Sequence, residues 1–200
     1  MTNPDKPFAP ACERNQDPIL DVLRVELADT SEVLEIGSGT GQHAVYFAAA
    51  LPHLVWHASD RAENHGAIKA WLADADGDNL RGPHELDVTQ DHWPLASVDA
   101  VFSANAVHIM SWPCVEAMIA GVGRVLTSGG KLCLYGPFKY GGNHTSESNV
   151  RFDGWLYDRD PLSAVRDVDD LAAIARPVGL TLQSDLEMPA NNRLLVWLKQ

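Results

Sequence analysis

Residues 33–41, Val-Leu-Glu-Ile-Gly-Ser-Gly-Thr-Gly, constrain the fold of this chain more than any other segment. A short apolar run is followed by glycines at every second position, and a helix-forming segment starts at Gln42. The pattern predicts a buried strand, a tight turn without Cβ atoms and a helix N-terminus. At such a junction a ligand can contact bare backbone and free N–H donors.

The glycine spacing is G-x-G-x-G and differs from the G-x-G-x-x-G of dinucleotide-binding folds. The difference favours S-adenosylmethionine, an adenosine cofactor without a pyrophosphate, over a nicotinamide dinucleotide. We therefore expect the loop to bind the methionine part of S-adenosylmethionine through Gly37, Ser38, Gly39 and Gly41. The working hypothesis is a methyltransferase.

The 200 residues predict one domain spanning residues 1–200. The three cysteines, Cys12, Cys114 and Cys133, show no metal-binding spacing, and this pattern is typical of reduced thiols in a cytoplasmic protein. We find no pattern of a signal peptide and no apolar run long enough for a membrane span. The prediction is a cytoplasmic protein.

The formal net charge of −12 argues against nucleic acid and anionic membranes as partners. A protein that binds phosphate backbones needs a surface of Lys and Arg, and the sequence contains no basic run. These observations favour a small-molecule substrate.

Alternating strand and helix patterns predict an α/β fold of the Rossmann-like kind. Residues 1–10 are expected to be irregular, and the first helix is expected to start at Asp17 and Pro18. We expect a seven-stranded, mostly parallel sheet with helices on both faces, closing on a C-terminal antiparallel hairpin. The predicted strands are residues 32–36, 54–60, a short strand ending at 86–88, then 99–105, 131–135, 181–188 and 194–199.

The long connection between residues 136 and 166 interrupts this alternation and is rich in Gly, Asn, Ser and charge. Connections of this length in compact domains are usually functional. Phe152, Trp155, Leu156 and Tyr157 are interleaved with its charges. We expect an insert at about residues 137–164 that covers a pocket as a lid and determines the substrate.

Two acidic residues at predicted strand ends are candidates for holding the adenosine. Ligands of open α/β sheets lie outside the carboxyl ends of the strands, where the strand order reverses. Asp60 is expected to accept hydrogen bonds from the ribose hydroxyls, with capping of the next helix as the alternative. Asp87 is expected to accept from the adenine amino group, beside the Val88 amide, with a turn aspartate as the alternative.

Two further charged residues are assigned to the other end of the cofactor. Glu35 is expected to orient the glycine loop or to meet the amino-acid end of the cofactor, and bonding to loop amides is compatible with either role. Arg14, expected to precede the first helix, suits the methionine carboxylate or an acidic substrate through its bidentate fork. A surface salt bridge is the alternative for Arg14.

Asn105 ends the fourth predicted strand and is expected to border the transferred methyl group. His108 is a candidate general base or substrate-orienting residue, because histidine exchanges protons near neutral pH. A structural role is the alternative for both. Residues His53 and His57 are too far apart on a strand to share a metal, and no other spacing predicts a metal site.

With these residues in view, the chain resembles a methyltransferase-like family, domain of unknown function 938, almost from end to end. The resemblance rests on the glycine loop together with motifs outside it: residues 13–15, 18–20, 35–43, 51–52, 59–60, 86–88, 93–94, 105, 108–109, 135–138, 152–153, 159–161, 166–167 and 188–192. It implies a class I methyltransferase fold and S-adenosylmethionine binding, and it implies no particular methyl acceptor. Two departures, at residues 56–60 and 108–112, border the ribose site and the transfer region, and Met110 and Ser111 there are expected to reshape the acceptor pocket.

Two other functions remain open from the sequence. One is a protein that binds the cofactor without turnover, and the other is a non-methylating enzyme, such as a cyclase or decarboxylase, that uses the bound sulfonium electrostatically. Neither the acceptor atom nor the oligomeric state follows from the sequence.

Overall fold

A computed structural model describes residues 6–200. The irregular lead-in predicted for residues 1–10 therefore lies partly outside the described residues. The α-helices are α1 (Pro10–Glu26), α2 (Gln42–Ala50), α3 (His65–Leu72), α4 (Trp112–Val125), α5 (Glu147–Arg159) and α6 (Val168–Ala175). The strands are β1 (Glu32–Ile36), β2 (Val55–Asp60), β3 (Leu80–Glu85), β4 (Val98–Ala104), β5 (Leu126–Gly136), β6 (Phe138–Tyr140), β7 (Asn143–His144), β8 (Arg166–Asp167), β9 (Leu180–Met188) and β10 (Asn192–Lys199).

The main sheet confirms the predicted fold class. Its seven strands run in the order β3-β2-β1-β4-β5-β10-β9. Strands β1 to β5 pair in parallel, whereas β10 pairs antiparallel with both β5 and β9. The strand order reverses between β1 and β4, so a crevice for ligands is expected at the carboxyl ends of these two strands.

Helices cover both faces of this sheet, as predicted. Helices α4 and α6 pack on one face around Val115, Met118 and Leu171. Helices α1, α2 and α3 pack on the other face around Leu23, Phe47 and Ile68. Nearly all residues of the central strands are buried, which explains why β1, β2 and β4 are almost continuously apolar in sequence.

The first helix begins earlier than predicted. It starts at Pro10, where the missing N–H costs nothing, and continues through Pro18. Burial of Ile19, Leu20 and Leu23 against α2 and the sheet supports the helix across this proline. Arg14 and its neighbours therefore lie on α1, not in a segment before it.

The third strand also differs from the prediction. It runs from Leu80 to Glu85 and ends before Asp87, so the residues predicted as a polar loop form most of it. Pro83 is tolerated because β3 is an edge strand, with β2 as its one partner among residues 6–200. Asp87 and Val88 lie in the turn that follows.

The predicted insert is folded rather than irregular. Strands β6, β7 and β8 form a small three-stranded sheet, and α5 fills much of the segment between them. Helix α5 starts at a Ser146 cap whose side chain accepts from the Asn149 amide. No helix within residues 6–200 is both long enough and apolar enough to cross a membrane.

Candidate functional site

The glycine loop after β1 is held in left-handed backbone conformations that favour glycine. The φ angles of Gly37, Gly39 and Gly41 are 75°, 59° and 89°. The Gly37 and Ser38 amides both donate to the Ser59 carbonyl, at 3.1 and 3.0 Å. A Cβ on Gly37 would lie 3.3 Å from the Ala106 Cβ. The loop is thus fixed between the ends of β2 and β4.

Glu35 lies beneath this loop and is 2% exposed. One carboxylate oxygen accepts from the Ser38 hydroxyl at 2.9 Å and from the Trp56 indole at 3.0 Å. Burial raises the pKa of Glu35 to about 7, against the lowering effect of these two hydrogen bonds. The expected bonds to loop amides are replaced by bonds to side chains, and Glu35 supports the loop from below.

Asp60 joins the end of β2 to the glycine loop. Its Oδ2 accepts from the Gly39 amide at 2.8 Å. Its Oδ1 accepts from the Arg61 amide at 2.8 Å and from the Asn64 side chain at 2.9 Å. The carboxylate therefore caps the turn that follows β2, and it also faces the crevice next to the loop.

A cavity of about 520 Å³ lies at the carboxyl ends of β1, β2 and β4. Its volume is in the range of roughly 300–1,000 Å³ that small-molecule sites occupy. Five predicted site residues line it: Gly37, Ser38, Gly39, Asp60 and Asn105. Eleven other residues complete the lining: Ala9, Ala11, Cys12, Thr40, His43, Asn64, Ala67, Ala104, Ala106, Ile109 and Met110.

Asp87 and Val88 lie outside the lining of this cavity. The Asp87 Oδ1 accepts from the Thr89 amide at 3.0 Å and from the Thr89 hydroxyl at 2.7 Å. These bonds lower the pKa of Asp87. The geometry is that of the turn aspartate given as the alternative. The Val88 side chain packs in the core beside Leu86.

His108 is also placed away from the cavity lining. It is 3% exposed, and its ring meets that of Phe152 edge-on at 5.3 Å between centroids. Desolvation by burial, with a smaller effect of Arg166, lowers its pKa to about 4. Its Nδ1 is buried and has no hydrogen-bond partner within residues 6–200. The imidazole is therefore neutral, and it is absent from the lining of the cavity, an arrangement that does not suit the predicted general base.

Asn105 occupies the point where three cavities meet. Its φ is 57°, and its amide donates to the Tyr135 carbonyl at 2.8 Å. Besides the cavity at the glycine loop, it lines neighbouring cavities of about 410 and 360 Å³. Arg14 lines the first of these neighbours, not the cavity at the loop.

Ala9, Ala11 and Cys12 line the cavity but were not assigned to it from the sequence, because α1 was expected to start after them. His43 of α2 also lines the cavity and was not assigned to it. Burial raises the pKa of the Cys12 thiol to about 11. His43 Nε2 lies 2.7 Å from Asn15 Oδ1, which ties α2 to α1. Burial lowers the pKa of His43 to about 4, so its ring is neutral. Met110, singled out from the sequence as a departure expected to reshape the acceptor pocket, also lines this cavity.

The part of the chain that the structure describes contains no group of three or more His, Cys, Asp or Glu side chains arranged to hold a metal ion.

Several solved structures that are similar to this fold are named methyltransferases. An O-methyltransferase family protein from Burkholderia thailandensis matches with a TM-score of 0.81 and 15% identity, over 92% of this chain and 56% of that chain. An O-methyltransferase family 2 protein from Planctomyces limnophilus, in complex with apigenin, matches with a TM-score of 0.81 and 16% identity, over 96% and 58% of the two chains. PigF with SAH matches with a TM-score of 0.79 and 15% identity, over 94% and 56%.

The chain thus spans slightly more than half the length of these structures. At such low identity the likeness shows the fold alone, and this fold is the class I methyltransferase fold expected from the sequence. At the sequence level, the model of one family, Protein of unknown function (DUF938), matches residues 6–199. The chain therefore belongs to the DUF938 family.

Proposed function

We propose that this chain binds S-adenosylmethionine in the cavity of about 520 Å³ and transfers its methyl group to a small-molecule acceptor. The observation that carries the proposal is the meeting of the glycine loop, Asp60 and Asn105 at one cavity, at the point where the strand order reverses. The fold supports it, because the similar solved structures include an O-methyltransferase family protein, and another of them, PigF, was determined with SAH.

The residues at the cavity fit such a cofactor. The left-handed glycines leave the backbone bare, so that the methionine part can approach the loop at Gly37 and Gly39. Asp60 offers carboxylate oxygens at the cavity wall, where they can accept from ribose hydroxyls. We assign the adenine to the turn at Asp87 and Val88, which lies outside the lining of the cavity and in which the Asp87 Oδ1 already accepts from Thr89.

When bound, S-adenosylmethionine supplies an electrophilic methyl group, whose bond to sulfur breaks as its bond to the acceptor nucleophile forms. The task of the protein is then alignment of the two reactants more than acid–base chemistry. Asn105 borders both reactants in this proposal, because it lines the cavity at the loop and the two cavities beside it.

In this proposal the insert at residues 137–164 covers the site. Phe152 of α5 contacts both His108 and Trp155 through its ring, with centroids 5.3 and 5.7 Å away. We assign His108 the role of supporting this cover rather than that of a base, because its ring is buried and neutral. The insert at residues 137–164 belongs, in this proposal, to one domain that spans residues 1–200.

We further propose that the protein acts in the cytoplasm and that neither nucleic acid nor a membrane is its partner. The net charge of −12 supports this, as do the free thiols of Cys12, Cys114 and Cys133.

Calorimetry with S-adenosylmethionine and S-adenosylhomocysteine tests the first half of the proposal. We expect both to bind with one site per chain, and an Asp60→Ala variant to bind each much more weakly. Absence of binding to either compound would overturn the proposal. Mass spectrometry of the products then tests transfer, since a methylated acceptor gains one CH₂ unit. A bound cofactor that is never consumed, or a product without this gain, would overturn the methyltransferase assignment.

A further inference from the structure

We propose that the two cavities beside Asn105 form the acceptor site, and that Arg14 selects acceptors carrying an anionic oxygen group, of which a carboxylate is the simplest. This inference rests on the proposed function, because an acceptor site requires a methyl donor next to it. It assigns Arg14 to the acceptor, although the sequence left the methionine carboxylate equally open.

The position of these cavities supports the assignment. Both share Asn105 with the cavity at the glycine loop, so a molecule in either one adjoins the cofactor cavity. The cavity of about 410 Å³ also shares Ala11 with it. Neither of the two is lined by a residue of the glycine loop or by Asp60. They are therefore adjacent to the cofactor cavity and separate from its binding groups.

The charge in these cavities points to an anion. Arg14 is the one charged side chain among the described residues that line them. No acidic side chain of residues 6–200 forms an ion pair with it. The Arg14 side chain is exposed at the cavity, and its planar guanidinium is free to bind a carboxylate through two hydrogen bonds.

The floor of the cavity at Arg14 is polar and buried. Tyr135 is 3% exposed and Asn15 is 8% exposed, and both line it. Asn15 is held by the contact between its Oδ1 and the His43 Nε2 at 2.7 Å. A ligand there meets hydroxyl and carboxamide groups in fixed positions, which suits an acceptor with hydrogen-bonding substituents.

The wall between the two cavities is built jointly by the insert and the turn before β10. The Asn149 side chain of α5 donates to the Asn191 carbonyl at 2.9 Å, and the Asn191 side chain donates to the Ser148 hydroxyl at 3.1 Å. Ala190 lines both cavities and has a φ of 60°, a left-handed conformation that alanine rarely adopts. Such strained residues cluster at ligand sites.

The cavity of about 360 Å³ adds an aromatic surface, because Phe152 lines it and stacks on Trp155. A planar ring with a nucleophile at one end and a carboxylate at the other therefore suits both cavities. Three such compounds differ only in the acceptor atom: 4-hydroxybenzoate, 4-aminobenzoate and 4-mercaptobenzoate. Their carboxamides are matched neutral probes, and 4-hydroxyphenyl phosphate distinguishes a phosphate from a carboxylate.

The experiment measures binding of each probe to the S-adenosylhomocysteine-bound protein by calorimetry, and methyl transfer from labelled S-adenosylmethionine. The full chain is compared with Arg14→Gln and with Arg24→Gln, an exposed arginine in the last turn of the same helix. We expect at least one acid to bind about ten- to hundredfold more tightly than its amide, the size of a charge-assisted hydrogen bond. Arg14→Gln is expected to reduce this preference to within about threefold, whereas Arg24→Gln keeps it.

The possible results lead to different conclusions about Arg14, about the anionic group and about the proposed function. Equal binding of acids and amides, no binding of any acid, or an acid preference that persists in Arg14→Gln overturns the assignment of Arg14. If the phosphate binds more tightly than the carboxylates and Arg14→Gln abolishes this preference, the result supports the anion site. It then shows that the site binds a phosphate group rather than a carboxylate. Weaker binding of S-adenosylhomocysteine in Arg14→Gln, with the acid preference unchanged, assigns Arg14 to the cofactor instead. Failure of the unaltered protein to bind S-adenosylhomocysteine overturns the proposed function itself.

Discussion

The Asp60 carboxylate accepts a hydrogen bond of 2.8 Å from the Gly39 amide, so the last residue of β2 fixes the middle of the glycine loop. The same carboxylate bonds to the Arg61 amide and the Asn64 side chain. It is 9% exposed, with the exposed part at the cavity. A single side chain therefore shapes the loop and faces the proposed ribose position.

Replacement of Asp60 by Asn tests this double role. We expect the dissociation constant for S-adenosylhomocysteine to rise about ten- to hundredfold, because the carboxylate is lost as a strong acceptor. Calorimetry measures the effect, and thermal unfolding checks that the fold persists. The matched control is Asp91→Asn, an exposed residue in the loop after β3, which is expected to bind as the unaltered chain does. Unchanged affinity in Asp60→Asn would exclude Asp60 from cofactor binding.

Glu35 makes folding stability depend on pH in one direction. Its folded pKa of about 7 exceeds the ordinary value of 4.5, so between these values the folded state keeps a proton that the unfolded state has lost. This contribution is fully present below pH 4.5 and is lost as the pH rises through 7. We expect Glu35→Gln to gain stability relative to the unaltered chain over this interval, by up to about 3 kcal/mol at pH 8.

Urea unfolding of both proteins at intervals from pH 4.5 to 8 measures this difference. The comparison isolates Glu35, because the other titrating groups contribute equally to both proteins. Two parallel profiles would show that Glu35 is ionised in the folded state across the whole range.

The buried histidines have the opposite effect. The pKa of His108 is lowered to about 4 from the ordinary 6.5. Between these pH values the unfolded state binds a proton that the folded state does not bind. The stabilising contribution is present above pH 6.5 and is lost as the pH falls through 4. His108→Phe keeps an aromatic ring against Phe152 and removes the titration. We expect its unfolding free energy to fall less between pH 6.5 and 4, by about 3 kcal/mol.

His43 has a pKa lowered to about 4 as well, so a residual loss of stability in acid is expected in His108→Phe. Methyl transfer by this variant separates the two roles considered for His108. A supporting residue leaves the pH dependence of kcat unchanged, whereas removal of a general base eliminates the lower limb of that profile.

The sequence predicted the local features of the site better than its surroundings. The glycine loop, Asp60 and Asn105 were found because apolar strands, glycine turns and strand ends leave signals in adjacent residues. Residues Ala9 and Cys12 were missed as cavity lining, since their position depends on long-range packing of α1. The Ala9 amide, for instance, donates to the Gln42 side chain at 2.5 Å.

Two errors of the prediction have the same origin in proline. Pro18 was taken as a helix start, yet it lies inside α1, because buried neighbours outweigh one lost hydrogen bond. Gly82 and Pro83 were taken as a loop, yet they lie in β3, where an edge strand needs no second partner. Because β3 ends earlier than predicted, Asp87 lies in a turn and not at a strand end. Its side chain is bonded to Thr89 within that turn.

Two helical glycines are expected to respond with opposite signs to the same substitution. A Cβ on Gly121 of α4 would lie 2.0 Å from the Trp93 ring, and Trp93 is only 6% exposed. A Cβ on Gly154 of α5 would meet nothing within 4 Å. Gly121→Ala should therefore destabilise the protein by about 1–3 kcal/mol through overpacking. Gly154→Ala should stabilise it by about 0.5–1 kcal/mol through helix propensity.

Urea unfolding at one pH measures both changes, and a double-mutant cycle identifies the cause at Gly121. Trp93→Leu removes most of the indole atoms that the new methyl group would meet. In this background Gly121→Ala should lose most of its penalty, because the remaining effect is the helix propensity of alanine, which favours the folded state. An equal penalty in both backgrounds would place the clash elsewhere in α4, and a stabilising Gly121→Ala would show that Trp93 moves freely.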